Sequence, residues 1–176
     1  MTIQTIGVVG AGQMGNGIAH VMAGAGYQVL LNDVSQEALD KGLATIRGNM
    51  ERQVVRSKLA ETDMDAALRR ITPTLTPSDV GQSDLVVEAA TERETVKTAI
   101  FEDLLPHLKP NTILTSNTSS ISITRLASGT DRPEKFMGFH FMNPVPVMQL
   151  VELIRGIATD QETYEACHKV VASLGK

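Results

Sequence analysis

The chain has 176 residues, 42% of them apolar, with a formal net charge of -4 and a pI near 5.5. That length can bury the core of one ordinary domain without disulfides or a structural metal, the acidic balance argues against nucleic acid or anionic membrane as a partner, and 3% aromatic content with no Trp argues against a stacking platform for single strands. The single Cys167 excludes an internal disulfide and fits a cytoplasmic setting, no segment reaches the roughly 20 apolar residues of a membrane span, and the N-terminus carries no secretory pattern.

In chain order, Ile3 to Val9 is a β-branched run closed by glycine, and Ile18, Ala19, Val21, Met22 and Ala25 then recur at helical spacing until Gly26. Between them lies Gly10-Ala11-Gly12-Gln13-Met14-Gly15. Gln28 to Leu31 predicts a second strand ending in Asn32-Asp33, after which Ser35 caps a long polar helix reaching about Lys58. A helix from about Asp63 to Arg70 leads to a short strand at Ile71 to Leu75 and a loop around Pro77 to Gly81. Leu85 to Ala90 reads as a buried strand, and a helix from about Arg93 to Leu105 is stopped by Pro106 and Pro110. Thr112 to Thr115 is the next strand, opening into the polar turn Ser116 to Ser120 and a short helix at Ile121 to Leu126. Phe136 to Phe141 and Gln149 to Leu153 are two further strands, and Gln161 to Leu174 a final helix. Strands alternating with helices imply an α/β fold: a mostly parallel, doubly wound sheet with helices on both faces, in one domain.

The glycine loop follows a strand and opens a helix, the context in which such a loop binds a dinucleotide rather than merely turning the chain. Gly10 permits the bend, Gly12 lets backbone amides approach a pyrophosphate, and Gly15 lets helix and strand pack closely. Asp33, at the end of the second strand, suits the adenosine ribose hydroxyls and repels a 2′-phosphate, so NAD is preferred to NADP; it is also an ordinary helix N-terminal acid. Glu88, Glu92 and Lys97 follow the strand across the switch point, where loops line a cofactor crevice, although Glu92 and Lys97 read equally well as first-turn helix charges. Asn117 and Ser119 lie at another carboxyl strand end, with groups suited to a substrate oxygen and also common in any turn.

His140 sits within the apolar strand Phe136 to Phe141, where a lone histidine is usually just packed. Glu152, twelve positions on and on the next strand, shifts that balance: it can hold one ring nitrogen while the other takes a hydroxyl proton. The four histidines and Cys167 show no metal-ligand spacing, so no metal is expected, and Cys167 on an amphipathic helix reads as a packing residue. Arg47, Arg52, Arg56 and Lys58 on the long helix form a solvated basic face by default, or a clamp for the phosphates of an acyl carrier.

Taken together, Gly10 to Ala19, Asp84 to Ala90, Ser116 to Ser120 and His140 to Glu152 resemble the L-3-hydroxyacyl-CoA dehydrogenase family, above all its bacterial 3-hydroxybutyryl-CoA members. The resemblance spans nearly the whole chain and implies a Rossmann-like NAD-binding domain over residues 1–176. It implies that His140 is the general base, Glu152 its partner, and Ser119 the group orienting the substrate oxygen. It assigns Gly10, Ala11, Gly12, Gln13, Met14, Gly15, Asp33, Glu92, Lys97 and Asn117 to NAD, and Ser119, Asn143, Arg52 and Arg56 to an acyl-CoA substrate. The implied reaction is reversible NAD-dependent oxidation of an L-3-hydroxyacyl-CoA to the 3-oxoacyl-CoA in fatty-acid or butanoate-type metabolism. The rival readings are a dehydrogenase of a free hydroxy acid and a non-catalytic NAD-binding module. The resemblance further implies a second, all-helical domain that completes the acyl pocket and forms a homodimer; this chain is expected to stop before it.

Overall fold

The computed structural model describes residues 2–176. In chain order the elements are β1 (Thr5–Val9), α1 (Gln13–Gly24), β2 (Gln28–Asn32), α2 (Gln36–Val55), α3 (Glu61–Arg69), β3 (Ile71–Thr74), α4 (Pro77–Val80), β4 (Leu85–Glu88), α5 (Glu94–Leu104), β5 (Ile113–Ser116), α6 (Ile123–Ser128), β6 (Phe136–Phe141), β7 (Val151–Arg155) and α7 (Gln161–Ser173). The strands form one sheet in the order β3-β2-β1-β4-β5-β6-β7. All neighbours are parallel except β6 and β7. This is the doubly wound Rossmann-like arrangement, extended by one antiparallel edge strand.

Period-two alternation divides the core between the two sheet faces. Ile6, Val8, Leu85, Val87, Met137, Phe139 and Phe141 pack with α1, α2, α3 and α7, whereas Val9, Val86, Leu114 and Phe136 pack with the α4, α5 and α6 side. His140 follows the same alternation. It shares the face of Phe136 and Gly138, and lies directly opposite Glu152 in the antiparallel register. Ser35 caps α2 as its sequence predicts, its Oγ accepting from the Ala38 amide, and Ser122 Oγ and Asp160 likewise accept from the Arg125 and Thr163 amides at the starts of α6 and α7.

Three local expectations are corrected. The loop expected at Pro77 to Gly81 contains the one-turn helix α4, because Pro77 at the first helical position has a fixed φ suited to a helix start. α2 ends at Val55 rather than near Lys58, since Ser57 turns the chain with φ of 56°. β7 begins at Val151 rather than Gln149, because the preceding segment turns, with the Val147 and Met148 amides both donating to the Pro144 carbonyl. The boundaries of other elements differ by one or two residues.

Candidate active site

The switch point between β1 and β4, where connections depart to opposite sheet faces, opens a groove of about 630 Å³ at the carboxyl ends of the strands. Gly10, Gly12, Gln13, Met14, Asp33, Glu92, Lys97 and Asn117 all line it. Gly10 has φ of 103°, a conformation closed to most side chains. A Cβ on Gly15 would stand 1.7 Å from the Gly10 carbonyl oxygen, so the helix can start this close to the strand only with glycine there. At Gly12 a Cβ would meet nothing within 4 Å: the space above that backbone is left open, as a pyrophosphate lying against the turn requires. Ala11 and Gly15 are buried behind the groove instead of lining it.

Asp33 braces this turn. One carboxylate oxygen accepts from the Ala11 amide at 2.9 Å and the other from Ser35 at 3.0 Å. Each oxygen keeps lone-pair capacity for a ribose hydroxyl.

Beneath the groove lies a charged pair that spacing alone left unresolved. Lys97 Nζ donates to both oxygens of Glu88, at 2.9 and 2.8 Å, with side chains 2% and 0% exposed. Ser116 Oγ and the Ala90 amide also donate to Glu88, at 2.7 Å each. Lys97 is thus no solvated helix charge. Its ion pair joins α5 to β4, and Ser116 adds β5; such a pair persists in a buried place only when its remaining hydrogen-bonding capacity is met. Glu92 holds the next loop: Thr118 Oγ1 donates to it at 2.5 Å, and the Ser119 amide and hydroxyl donate at 3.0 and 3.1 Å. Partial burial pushes the Glu92 pKa up, but the Ser119 amide, the Thr118 hydroxyl, the Lys97 charge and the Ser119 hydroxyl together hold it below the usual value.

His140 Nδ1 lies 2.7 Å from Glu152 Oε2. The imidazole is 18% and the carboxylate 49% exposed, so the ring is half-sheltered while its partner stays hydrated. A carboxylate on Nδ1 favours the tautomer that carries its proton there and leaves a lone pair on Nε2, the arrangement of a general base. Asn117 ties this pair to the groove, its Oδ1 accepting the Phe141 amide at 2.8 Å.

The residues expected on the substrate side lie apart from these. Asn143 lines a cavity of about 490 Å³ between α1, α2 and the Asn143–Pro146 segment, on the other side of Gly12 and Gln13 from the groove. Arg52 and Arg56 line a neighbouring cleft of about 340 Å³ with Lys58, Pro144, Pro146 and Gln149. Cavity and cleft share Asn49, Pro144 and Pro146. Ser119 is exposed at the edge, bonded to Glu92.

Sequence reasoning missed Lys176, whose ammonium donates to the carbonyls of Val145 at 2.8 Å and Met148 at 2.5 Å and so fastens the loop walling both spaces. No local signal marks a lysine at a helix end for that task. It also missed Val34, Val96 and Ile100 as the apolar walls of the groove. Val34 is 94% exposed, and a large apolar side chain left bare beside Asp33 was the available clue. Among the described residues no cluster of His, Cys, Asp or Glu could hold a metal ion, and no helix is long and apolar enough to cross a membrane.

Residues 5–176 match the family model described as 3-hydroxyacyl-CoA dehydrogenase, NAD binding domain. A 3-hydroxybutyryl-CoA dehydrogenase of Bradyrhizobium diazoefficiens is 58% identical over 174 residues, 99% of this chain and 59% of the relative. The 3-hydroxyadipyl-CoA dehydrogenase of Escherichia coli is 44% identical over 100% of this chain and 37% of its own. The crystal structure of (S)-3-hydroxybutyryl-CoA dehydrogenase from Ralstonia eutropha superposes with a TM-score of 0.97 at 46% identity, over 99% of this chain and 62% of that one. This chain therefore spans at most about three fifths of the length of these relatives. It belongs to the 3-hydroxyacyl-CoA dehydrogenase NAD-binding domain family, and its cofactor is NAD.

Proposed function

We propose that residues 1–176 are the NAD-binding domain, bearing the catalytic pair, of a dehydrogenase that oxidises L-3-hydroxyacyl-CoA, specifically 3-hydroxybutyryl-CoA, to the 3-oxoacyl-CoA and runs in both directions. The observation that carries this reading is the His140–Glu152 pair, 2.7 Å apart at the sheet end beside the cofactor groove. Oxidation of the C3 alcohol releases a hydride and a proton as the C–O single bond becomes a carbonyl. NAD, when bound, accepts the hydride. His140 Nε2 takes the proton, while Glu152 fixes the ring through Nδ1 and stabilises the imidazolium that forms. Asp33 holds a ribose, and the open backbone at Gly12 receives the pyrophosphate. Glu92 positions Ser119 at the substrate oxygen. Lys97, Asn117, Gln13 and Met14 form the rest of the cofactor wall.

The cleft of Arg52, Arg56 and Lys58 supports a CoA thioester over a free hydroxy acid. Guanidinium groups match phosphate oxygens in pairs. The cavity holding Asn143 continues from that cleft toward Gly12, giving a long carrier a path to the cofactor. The same reading puts the protein in fatty-acid or butanoate-type metabolism, in the cytoplasm, as a homodimer whose helical dimerisation domain lies outside residues 1–176. Its 59% share of a relative's length supports the further domain, and the single buried Cys167 fits a reducing compartment.

The test is loss of NADH absorbance with acetoacetyl-CoA and, separately, gain of NADH absorbance from NAD with free sugar acids, using the chain extended to the length of its relatives. The expected result is turnover on the thioester alone. Turnover on the free acids alone would reassign the protein to the hydroxy-acid class, and cofactor binding with no turnover on either would leave a binding module.

A further inference from the structure

Strand β6 outruns its parallel neighbour. Pairing with β5 ends at Ser116 opposite Gly138, yet β6 continues through Phe139 and His140 to Phe141. Over those last three residues β6 is aligned with β7 on one side and has no β5 residue opposite it on the other. The amide of Phe141 is taken up by a side chain instead, Asn117 Oδ1, at 2.8 Å. Asn117 in turn donates its own backbone N–H to the Glu88 carbonyl at 2.8 Å, so one residue joins the ends of β4, β5 and β6. Phe141 is 1% exposed, and its amide relies on that acceptor for the bond a β5 residue would otherwise supply. The residue pinned in this way directly follows His140, and the residue that pins it lines the cofactor groove.

We propose that Asn117 is a positioning residue for the general base: it extends the sheet by one side-chain hydrogen bond and thereby fixes where the His140 imidazole stands relative to the cofactor groove. Membership of the NAD site accounts for its place on the groove wall and leaves the bond to Phe141 unexplained. The inference rests on His140 being the base, and it gives Asn117 a duty separable from cofactor affinity. A displacement near 1 Å at a catalytic group costs up to about 100-fold in rate with little change in binding.

The experiment compares Asn117→Ala, which removes the acceptor, with Asn117→Asp, which keeps an oxygen for the Phe141 amide, in the chain extended to its relatives' length. Asn117→Ala is expected to lower kcat on acetoacetyl-CoA, measured at saturating NADH, by about 10- to 100-fold, a larger loss than its place on the cofactor wall costs in the Kd for NADH. Asn117→Asp is expected to recover most of that loss. A Kd for NADH that rises in step with the lost rate, or an Asp variant as impaired as the Ala variant, overturns the proposal. A second arm needs no turnover: amide exchange at Phe141 in the cofactor-free protein should quicken by about tenfold or more in Asn117→Ala and stay near wild type in Asn117→Asp. Unchanged exchange in Asn117→Ala contradicts the clamp whatever the kinetics. A His140→Gln variant with undiminished turnover instead contradicts the assignment of the base, so the two failures are told apart.

Discussion

Gly12 and Gly15 show how differently two members of one motif are constrained. Gly15 is fixed by the fold, because any side chain would collide with the Gly10 carbonyl at 1.7 Å. Gly12 faces open space, so only a ligand can require it to be bare. Gly15→Ala should therefore unfold or misfold the domain, read as lost cooperative thermal unfolding, whereas Gly12→Ala should melt normally and bind NADH at least about tenfold more weakly by fluorescence titration. Normal NADH affinity in Gly12→Ala would contradict pyrophosphate binding at this turn. The close packing at Gly15 was legible in the sequence, since a strand, this loop and a helix come in order, and the same context raised the expectation of a pyrophosphate at Gly12. The role of Lys97 was not: a lysine four residues into a helix looks like solvated charge until the fold sets Glu88 against it. Cys167 is a case where composition sufficed. Burial leaves it 0% exposed and pushes its thiol up to about 12, the behaviour of an inert packing residue.

Among the elements, α1 carries a buried titratable group that the proposed chemistry does not use. His20 is 4% exposed, and its Nδ1 has no hydrogen-bond partner in the described structure. Burial lowers its pKa below 6.5, a hydrogen bond with Gln53 of α2 pulls it partly back, and the Lys176 charge lowers it further. The unfolded chain then takes up this proton more readily than the folded one. The resulting stabilisation is complete above pH 6.5 and is lost as pH falls through the lowered folded value. Urea midpoints at about pH 7.5 and about pH 5.5 should differ less in His20→Gln than in the parent protein, and an equal difference would contradict the buried neutral imidazole. Sequence patterning found the strands and helices that carry a clear period or a cap, including β6 with its alternation and α2 with Ser35. It misjudged α4 and the start of β7, because those boundaries are set by a single turn of helix and by the fold of the Asn143–Met148 loop, neither of which has a period to read. The pairing of His140 with Glu152 was anticipated from consecutive strands, but their register was not. Direct opposition across an antiparallel pair is what brings them to 2.7 Å.

Across the whole molecule, strand order does the assembling. With β4 next to β1, residues from positions 10 to 117 line one groove; with β6 and β7 as an antiparallel edge, the imidazole and its carboxylate stand beside it. The Lys97–Glu88 pair, the Glu92 contacts and the Asn117 clamp then hold neighbouring loops in register by polar bonds rather than by apolar packing. The substrate side was less legible in the sequence. Arg52, Arg56 and Asn143 belong to a cleft and cavity built from α2 and a distant loop, and spacing along the chain carries no trace of that meeting. If His140 moves the proton while the groove independently holds the cofactor, His140→Gln in the chain extended to its relatives' length separates the two. Stopped-flow NADH oxidation with acetoacetyl-CoA should slow by about 100- to 10,000-fold while the Kd for NADH stays within about twofold. A rate within about threefold of the parent would contradict general-base catalysis at this residue.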